Sequence, residues 1–310
     1  MRLANSIVLT ACLLLMPTAV LAAEVPAIEG LESEVHVIER GEEPWQLLRY
    51  DWTVGSTESS RTDYRMSLTM AGDGEQMSMA MPMSMEIEAT VTEVAEDGSA
   101  WLEIIYKGLD VGVSEMTIDG QPLDDAVLQA MAEEFDEQSR RLIGSSGWEV
   151  YDDRGRLLDW GIDAPEAFPE DLRAQVEQMS ATPTILPEEP VGVGAIWNVA
   201  SSISESGIDI GVTEVNELLT VEGDRLELDT RIELGASGGI PASELGSAAD
   251  GMVDEMTIRG DGGVIVDLSR VFSEMVLEMD LHMEMSSPDG VGGTSAATMD
   301  IEMDMEISPV

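Results

Sequence analysis

Thioether sulfur is the functional group this chain offers most freely: 21 of its 310 residues are Met. They recur by alternation. Met77, Met79, Met81, Met83 and Met85 lead into Ile87 and Ala89, and Met275, Leu277, Met279, Leu281, Met283 and Met285 repeat the pattern downstream. Residues two apart on a strand share a face, so each run lays its sulfurs along one side of a sheet. Two chemistries suit such a row. Met adapts its shape to varied apolar partners, which makes Met77, Met79, Met81, Met83, Met85, Met275, Met279, Met283 and Met285 candidate lining of a concavity for a lipid or another hydrophobe. Plain core packing is the competing reading of the same pattern. Thioethers also bind soft ions, which makes Met79, Met81, Met83, Met283 and Met285 the alternative: a Cu(I) or Ag(I) site. His282 lies between Leu281 and Met283 and faces away from that row, and His36 is remote in sequence. A metal site would rest on thioethers alone.

Other chemistries lack their residues. A Ser nucleophile needs a positioned base, and the chain holds 2 His. It has no His-Glu-x-x-His, no phosphate-cradling Gly-rich loop and no dinucleotide fingerprint. Acidic pairs such as Asp124-Asp125 and Asp152-Asp153 are expected on the surface of a chain with 62 Asp and Glu. No stretch has the spacing of a calcium loop. The expectation is a protein without catalysis and without a cofactor.

Charge and address narrow the partners. Lys and Arg number 15 against those 62 acids, a formal net charge of -47, so nucleic acid and anionic membrane surfaces are repelled. At 44% hydrophobic residues the chain still has enough apolar surface to fold. Met1–Ala22 reads as a secretory signal, with Arg2 before an apolar stretch from Ile7 to Leu21 and small residues at Ala22 and Ala23. The mature protein is therefore expected in the periplasm or outside the cell. Leu9-Thr10-Ala11-Cys12 offers an alternative, lipid anchoring at Cys12, against which stands the apolar run continuing through Met16. Cys12 is the chain's one Cys, so disulfides and thiolate sites are excluded. No later segment has the apolar length of a spanning helix.

The elements that would carry these residues are mainly strands. Period-two alternation marks the Met runs and also Trp101–Tyr106, Ile208–Val221, Leu226–Leu234 and Met299–Ile307. Asp-Gly pairs at 73, 97, 119, 261 and 289 predict tight connections between antiparallel neighbours. Helical spacing appears over 123–143, through Val127, Met131, Phe135 and Leu142, and again over Pro165–Met179. The halves echo one another: Val91–Val94 and Leu102–Ile104 match Val212–Val215 and Leu226–Leu228, and Glu115–Ile118 matches Glu255–Ile258. The fold class is mainly β (α+β): two related curved antiparallel sheets, or half-barrels, with a helical insert between them. In order these are the signal (1–22), an N-terminal segment (23–44), a first β-rich half (45–160), a helix and linker (161–190) and a second β-rich half (191–310).

The join reads Leu186-Pro187-Glu188-Glu189-Pro190-Val191-Gly192-Val193-Gly194-Ala195-Ile196-Trp197. It resembles a Pro-x-x-Pro-Val-x-Val-Gly-x-x-Trp segment that opens the second β-rich half in an uncharacterised family of exported bacterial proteins. The resemblance extends in layout over most of the mature chain and implies no activity. The strand succession is also similar to the curved half-barrels of periplasmic lipoprotein and lipid carriers. Trp45, Trp52, Trp101, Trp148, Trp160 and Trp197 fall near strand ends, where they would plug the sheet or rim a mouth. The expected function is binding of an apolar ligand in the cell envelope. A thioether metal binder is the first alternative, and a structural or interaction protein with an envelope partner the second.

Overall fold

The computed structural model describes residues 32–72, 74–163, 183–205, 208–241, 252–288 and 294–310. The segment expected to be a signal, Cys12 and the helix expected over Pro165–Met179 lie outside the described residues. The first part of the chain forms β1 (Glu32–Arg40), β2 (Thr57–Gly72), β3 (Glu75–Val94), β4 (Ala100–Val111), β5 (Glu115–Ile118) and β6 (Gln121–Pro122). Helix α1 (Asp125–Leu142), β7 (Ser146–Tyr151) and β8 (Leu157–Asp163) follow. After the junction come β9 (Ala195–Glu205), β10 (Ile208–Glu222), β11 (Arg225–Pro241), β12 (Met252–Asp267), β13 (Glu274–Pro288) and β14 (Thr294–Pro309).

The protein is mostly β, and its strands make one antiparallel 14-stranded sheet in the order β1-β9-β10-β11-β12-β13-β14-β2-β3-β4-β7-β8, with β5 on β3 and β6 on β5. The two meanders are thus joined edge to edge by β14 and β2, from Ala297 opposite Gly72 to Pro309 opposite Ser60. The path ends at β1 and β8, so the sheet is not closed. The echo between the halves does not carry into register. Val91 pairs with Leu102, whereas Val212 pairs with Leu234. Asp261-Gly262, expected at a turn, sits inside β12 instead. A Cβ on Gly262 would stand 2.0 Å from the Val276 carbonyl oxygen, so glycine serves close strand approach there.

The alternation predicted for β3 is what buries it. Met77, Met79, Met81, Met85, Ile87, Ala89 and Val91 point to one face and are buried, while residues between them stay wetter. That inward face carries two apolar clusters, one at each end of the long strands. In the first, Met79, Met81, Met303, Leu281 and Ile258 pack with Met131 of α1. In the second, Ile87, Leu102 and Tyr151 of β3, β4 and β7 pack with Trp197, Leu226 and Val264 of β9, β11 and β12. Strands β13, β14 and β2 separate those groups in the sheet. The two arms therefore face each other, and sheet covers sheet.

Helix α1 is small, and Asp124 caps it by accepting the Ala126 amide at 2.9 Å. The junction fills the end where the arms meet. Leu186, Val191, Ala195 and Trp197 are buried, and the Trp197 indole donates to the Ile185 carbonyl at 3.0 Å. Gly192 is required by contact, since a Cβ would lie 1.8 Å from the Glu42 carbonyl oxygen, and Gly194 has φ of 80°. Gln46 and Val191 exchange backbone hydrogen bonds, and Leu186 donates to the Arg154 carbonyl, so segments before β2 and before β9 tie the β7–β8 turn to β9.

Candidate functional site

Strand register converts the two Met runs into a single surface. Reading across β13, β14, β2 and β3, Met279 stands opposite Met303, Met303 opposite Met66, and Met66 opposite Met81. A parallel row runs from Met256 through Met283, Met299 and Met70 to Met77. All the candidate methionines face inward. Met77, Met79, Met81, Met85, Met279 and Met283 are buried, and Met83, Met275 and Met285 are half-buried. Met66, Met70, Met299 and Met303, which join the runs, were not singled out from the sequence. Their signal is the same alternation, diluted by Leu68 and Ile301.

Some inward side chains between the clusters keep accessible surface. Met83 keeps accessible surface although its inward neighbours along β3, Met81 and Met85, are only 2% and 3% exposed. Leu109, Met275 and Ile307 are likewise half-buried, the last two near the ends of β13 and β14, and Leu109 and Met275 touch both clusters. A polar pair also lies between the clusters, on β10. On β10 the inward positions are Val212, Glu214, Asn216 and Leu218, so a carboxylate and an amide interrupt an apolar row. Asn216 Nδ2 donates to Glu214 Oε1 at 2.5 Å, and the Thr230 hydroxyl donates to Asn216 Oδ1 at 2.7 Å. Asn216 and Thr230 are buried, whereas Glu214 retains partial exposure between buried neighbours.

Burial pushes the Glu214 carboxyl up, opposed only by the Asn216 hydrogen bond, and among the described residues no cation offsets its charge. Tyr50 faces it from the segment before β2. Burial pushes the Tyr50 phenol up, Ser273 hydrogen-bonds it, Glu214 raises it further, and its hydroxyl donates to the Thr184 carbonyl at 3.1 Å. Tyr50 stacks on Trp52 at 5.0 Å, and the buried Trp52 Nε1 has no hydrogen-bond partner. A second buried acid, Glu149, is satisfied differently, by the Tyr151 hydroxyl at 2.8 Å.

The outward face is ionic. Across β11–β14 it forms a groove of about 750 Å³ in which Glu278 stands opposite Asp304 and Asp280 opposite Glu302, with Arg231 and Arg259 among them. His282 lies on this outward face, away from the thioethers. Its Nδ1 is 2.6 Å from Asp300 Oδ1, and that hydrogen bond raises the imidazole pKa. Among the described residues no three His, Cys, Asp or Glu side chains converge to hold an ion. Among the described residues no helix is long and apolar enough to cross a membrane. The acidic pairs have local duties: Asp124 caps α1, and Asp152 Oδ1 accepts the Arg154 and Arg156 amides at 3.0 and 2.9 Å to shape the β7–β8 turn. Of the tryptophans, Trp52 and Trp197 are buried plugs, while Trp45 is exposed with the Arg40 guanidinium 5.0 Å from its ring centroid. Comparison with protein-family models, with curated proteins and with solved structures finds no match to this chain.

Proposed function

We propose that this is a non-catalytic exported protein of the cell envelope that holds an apolar ligand against its Met-lined inward face. The observation that carries the reading is the accessible surface kept by Met83, Leu109, Met275 and Ile307 on an inward face rich in adaptable thioethers. A core built only for stability would bury these apolar side chains fully, at about 25 cal/mol for each Å² taken from water. The unclosed sheet supports the same reading. Its two arms meet through side chains and linkers instead of ladder hydrogen bonds, which leaves a seam able to part without unzipping a strand pair. Burial of Met79, Met81 and Met283 disfavours the thioether metal reading, since an ion needs access to sulfur.

Native mass spectrometry of the protein, purified gently under reducing conditions from its own envelope, tests this. The expected result is a stoichiometric adduct of lipid size. Copper-sized increments lost on substitution of Met79, Met81 and Met83 would replace the proposal with the metal alternative. A bare chain would point to the structural or interaction role. Export and anchoring are tested separately by Cys12→Ser in the native host, where a signal peptide alone predicts unchanged release from the membrane.

A further inference from the structure

We propose that the row of methionines nearest one rim of the sheet is a modification site, whose sulfurs take oxygen from a neutral hydroperoxide while the sheet stands. Register defines the row. Met256 on β12, Met283 on β13, Met299 on β14, Met70 on β2 and Met77 on β3 stand opposite one another, strand by strand. The rim side of this row is thinly covered. The inward positions there are Val253, Met285, Ala297 and Gly72, and the last two bring little bulk to the edge. Met70 and Met285 are accordingly half-buried, and Met77, Met256, Met283 and Met299 keep 8 or 9% of their surface.

One inward position deeper, the residue type changes. Ile258, Leu281, Ile301 and Leu68 form the next row, continued on β3 by Met79, so branched side chains stand behind the outer sulfurs. A second set of methionines lies behind that barrier. Met279, Met303, Met66 and Met81 have rows on both sides, and none is more than 6% exposed. Packing alone does not call for sulfur here. The other cluster shares β3, β11 and β12, yet among the described residues its one buried methionine is Met85, whereas Met supplies about half of the buried side chains in the first.

The reaction is a two-electron oxidation of thioether to sulfoxide. A sulfur lone pair attacks the terminal peroxide oxygen, and the S–O bond forms as the O–O bond breaks. The proton on the transferred oxygen passes to the departing oxygen, which leaves as water or an alcohol. Sulfur is oxidised and the peroxide is reduced. The oxidant is neutral because a formal charge of -47 repels anions. It needs one sulfur at a time, where a metal ion needs several at once. The sulfoxide is polar. Water at the rim can hydrogen-bond it, whereas the same group in the inner row would be buried at a cost to the fold. The inference requires no bound ligand and is independent of the apolar-ligand reading.

The test adds hydrogen peroxide to the purified full-length protein. Peptide mass mapping follows sulfoxide at each Met, and far-ultraviolet circular dichroism follows the sheet. The outer row is expected to oxidise at least about tenfold faster than Met279, Met303, Met66 and Met81, which react only through local opening, with the dichroism unchanged. In urea the two sets should converge on one rate. Equal rates in the folded chain overturn the proposal, and so does an outer row that stays reduced while the unfolded chain reacts. A difference that persists in urea overturns it as well, because the fold then does not set the order. Loss of the sheet before the outer row is fully oxidised has the same meaning, since the oxidation is then damage to the core.

Discussion

A carboxylate enclosed by protein favours its proton, and for Glu214 this couples folding to pH. Its folded pKa lies above the unfolded one because burial outweighs the Asn216 hydrogen bond. The group therefore contributes full stability below the ordinary carboxylate range, and that contribution is lost as pH rises towards the raised folded value. Glu214→Gln should remove this loss: the variant equals the parent at the acidic end and exceeds it at neutral pH in urea unfolding. A parent that matches the variant across the range would place Glu214 in water. The methionines divide in the same way by surroundings. Met79→Leu and Met81→Leu exchange well-packed residues of similar volume, so each should cost less than about 1.5 kcal/mol in the same assay. Met83→Leu should also spare stability, yet weaken binding of the proposed ligand, because Met83 keeps accessible surface on the inward face. The inward direction of the Met rows was legible from alternation alone. Glu214 was not, because β10 carries apolar residues in both frames: Val212 and Leu218 inward, Val215 and Leu219 outward. With both faces partly apolar, the period of two has no phase.

Elements close to one another in the chain were read with least difficulty. The strands around the Met runs and helix α1 follow from local periodicity and a cap, which are properties of a few neighbouring residues. The junction motif stood out in the sequence, though its role as a plug depends on residues brought from elsewhere. Trp197 shows this: it stands opposite Val37 of β1 and Asn216 of β10, and its indole reaches back to Ile185. Trp197→Ala should cost about 3–5 kcal/mol, the range for emptying a buried aromatic site, measured as a shift in the unfolding midpoint. A loss below about 1 kcal/mol would mean the junction packs loosely. The Asp-Gly at 261 misled because that dipeptide signals a turn only where the chain must reverse. In β12, Gly262 answers a different demand, the approach of the Val276 carbonyl. The meeting of β14 with β2 carries no local signal at all. It joins one edge of each meander, while β8, the other edge of the first, ends the sheet.

The whole molecule carries a formal charge of -47, and its outward face sets carboxylates opposite one another across β13 and β14. Mutual repulsion in so acidic a body opposes the compact state. Raising salt from about 0.01 to 1 M shortens the screening length from about 30 to 3 Å, so the calorimetric midpoint should climb over that range. A midpoint that stays level would mean that the unfolded chain feels the same repulsion. The pairing of β14 with β2 bears on how such a body comes into being. Strand β14 follows the other strands in the chain, and β1 must likewise wait for β9. A ribosome or an export channel that delivers the chain from its N-terminal side therefore presents β2 long before its neighbour arrives. During that wait the first meander carries a bare edge of the kind that pairs with the wrong partner. The long span between the two strands also slows the final closure. The closing strand thus doubles as a guard against self-association, and a nascent chain stopped short of it would need a holding chaperone to stay single.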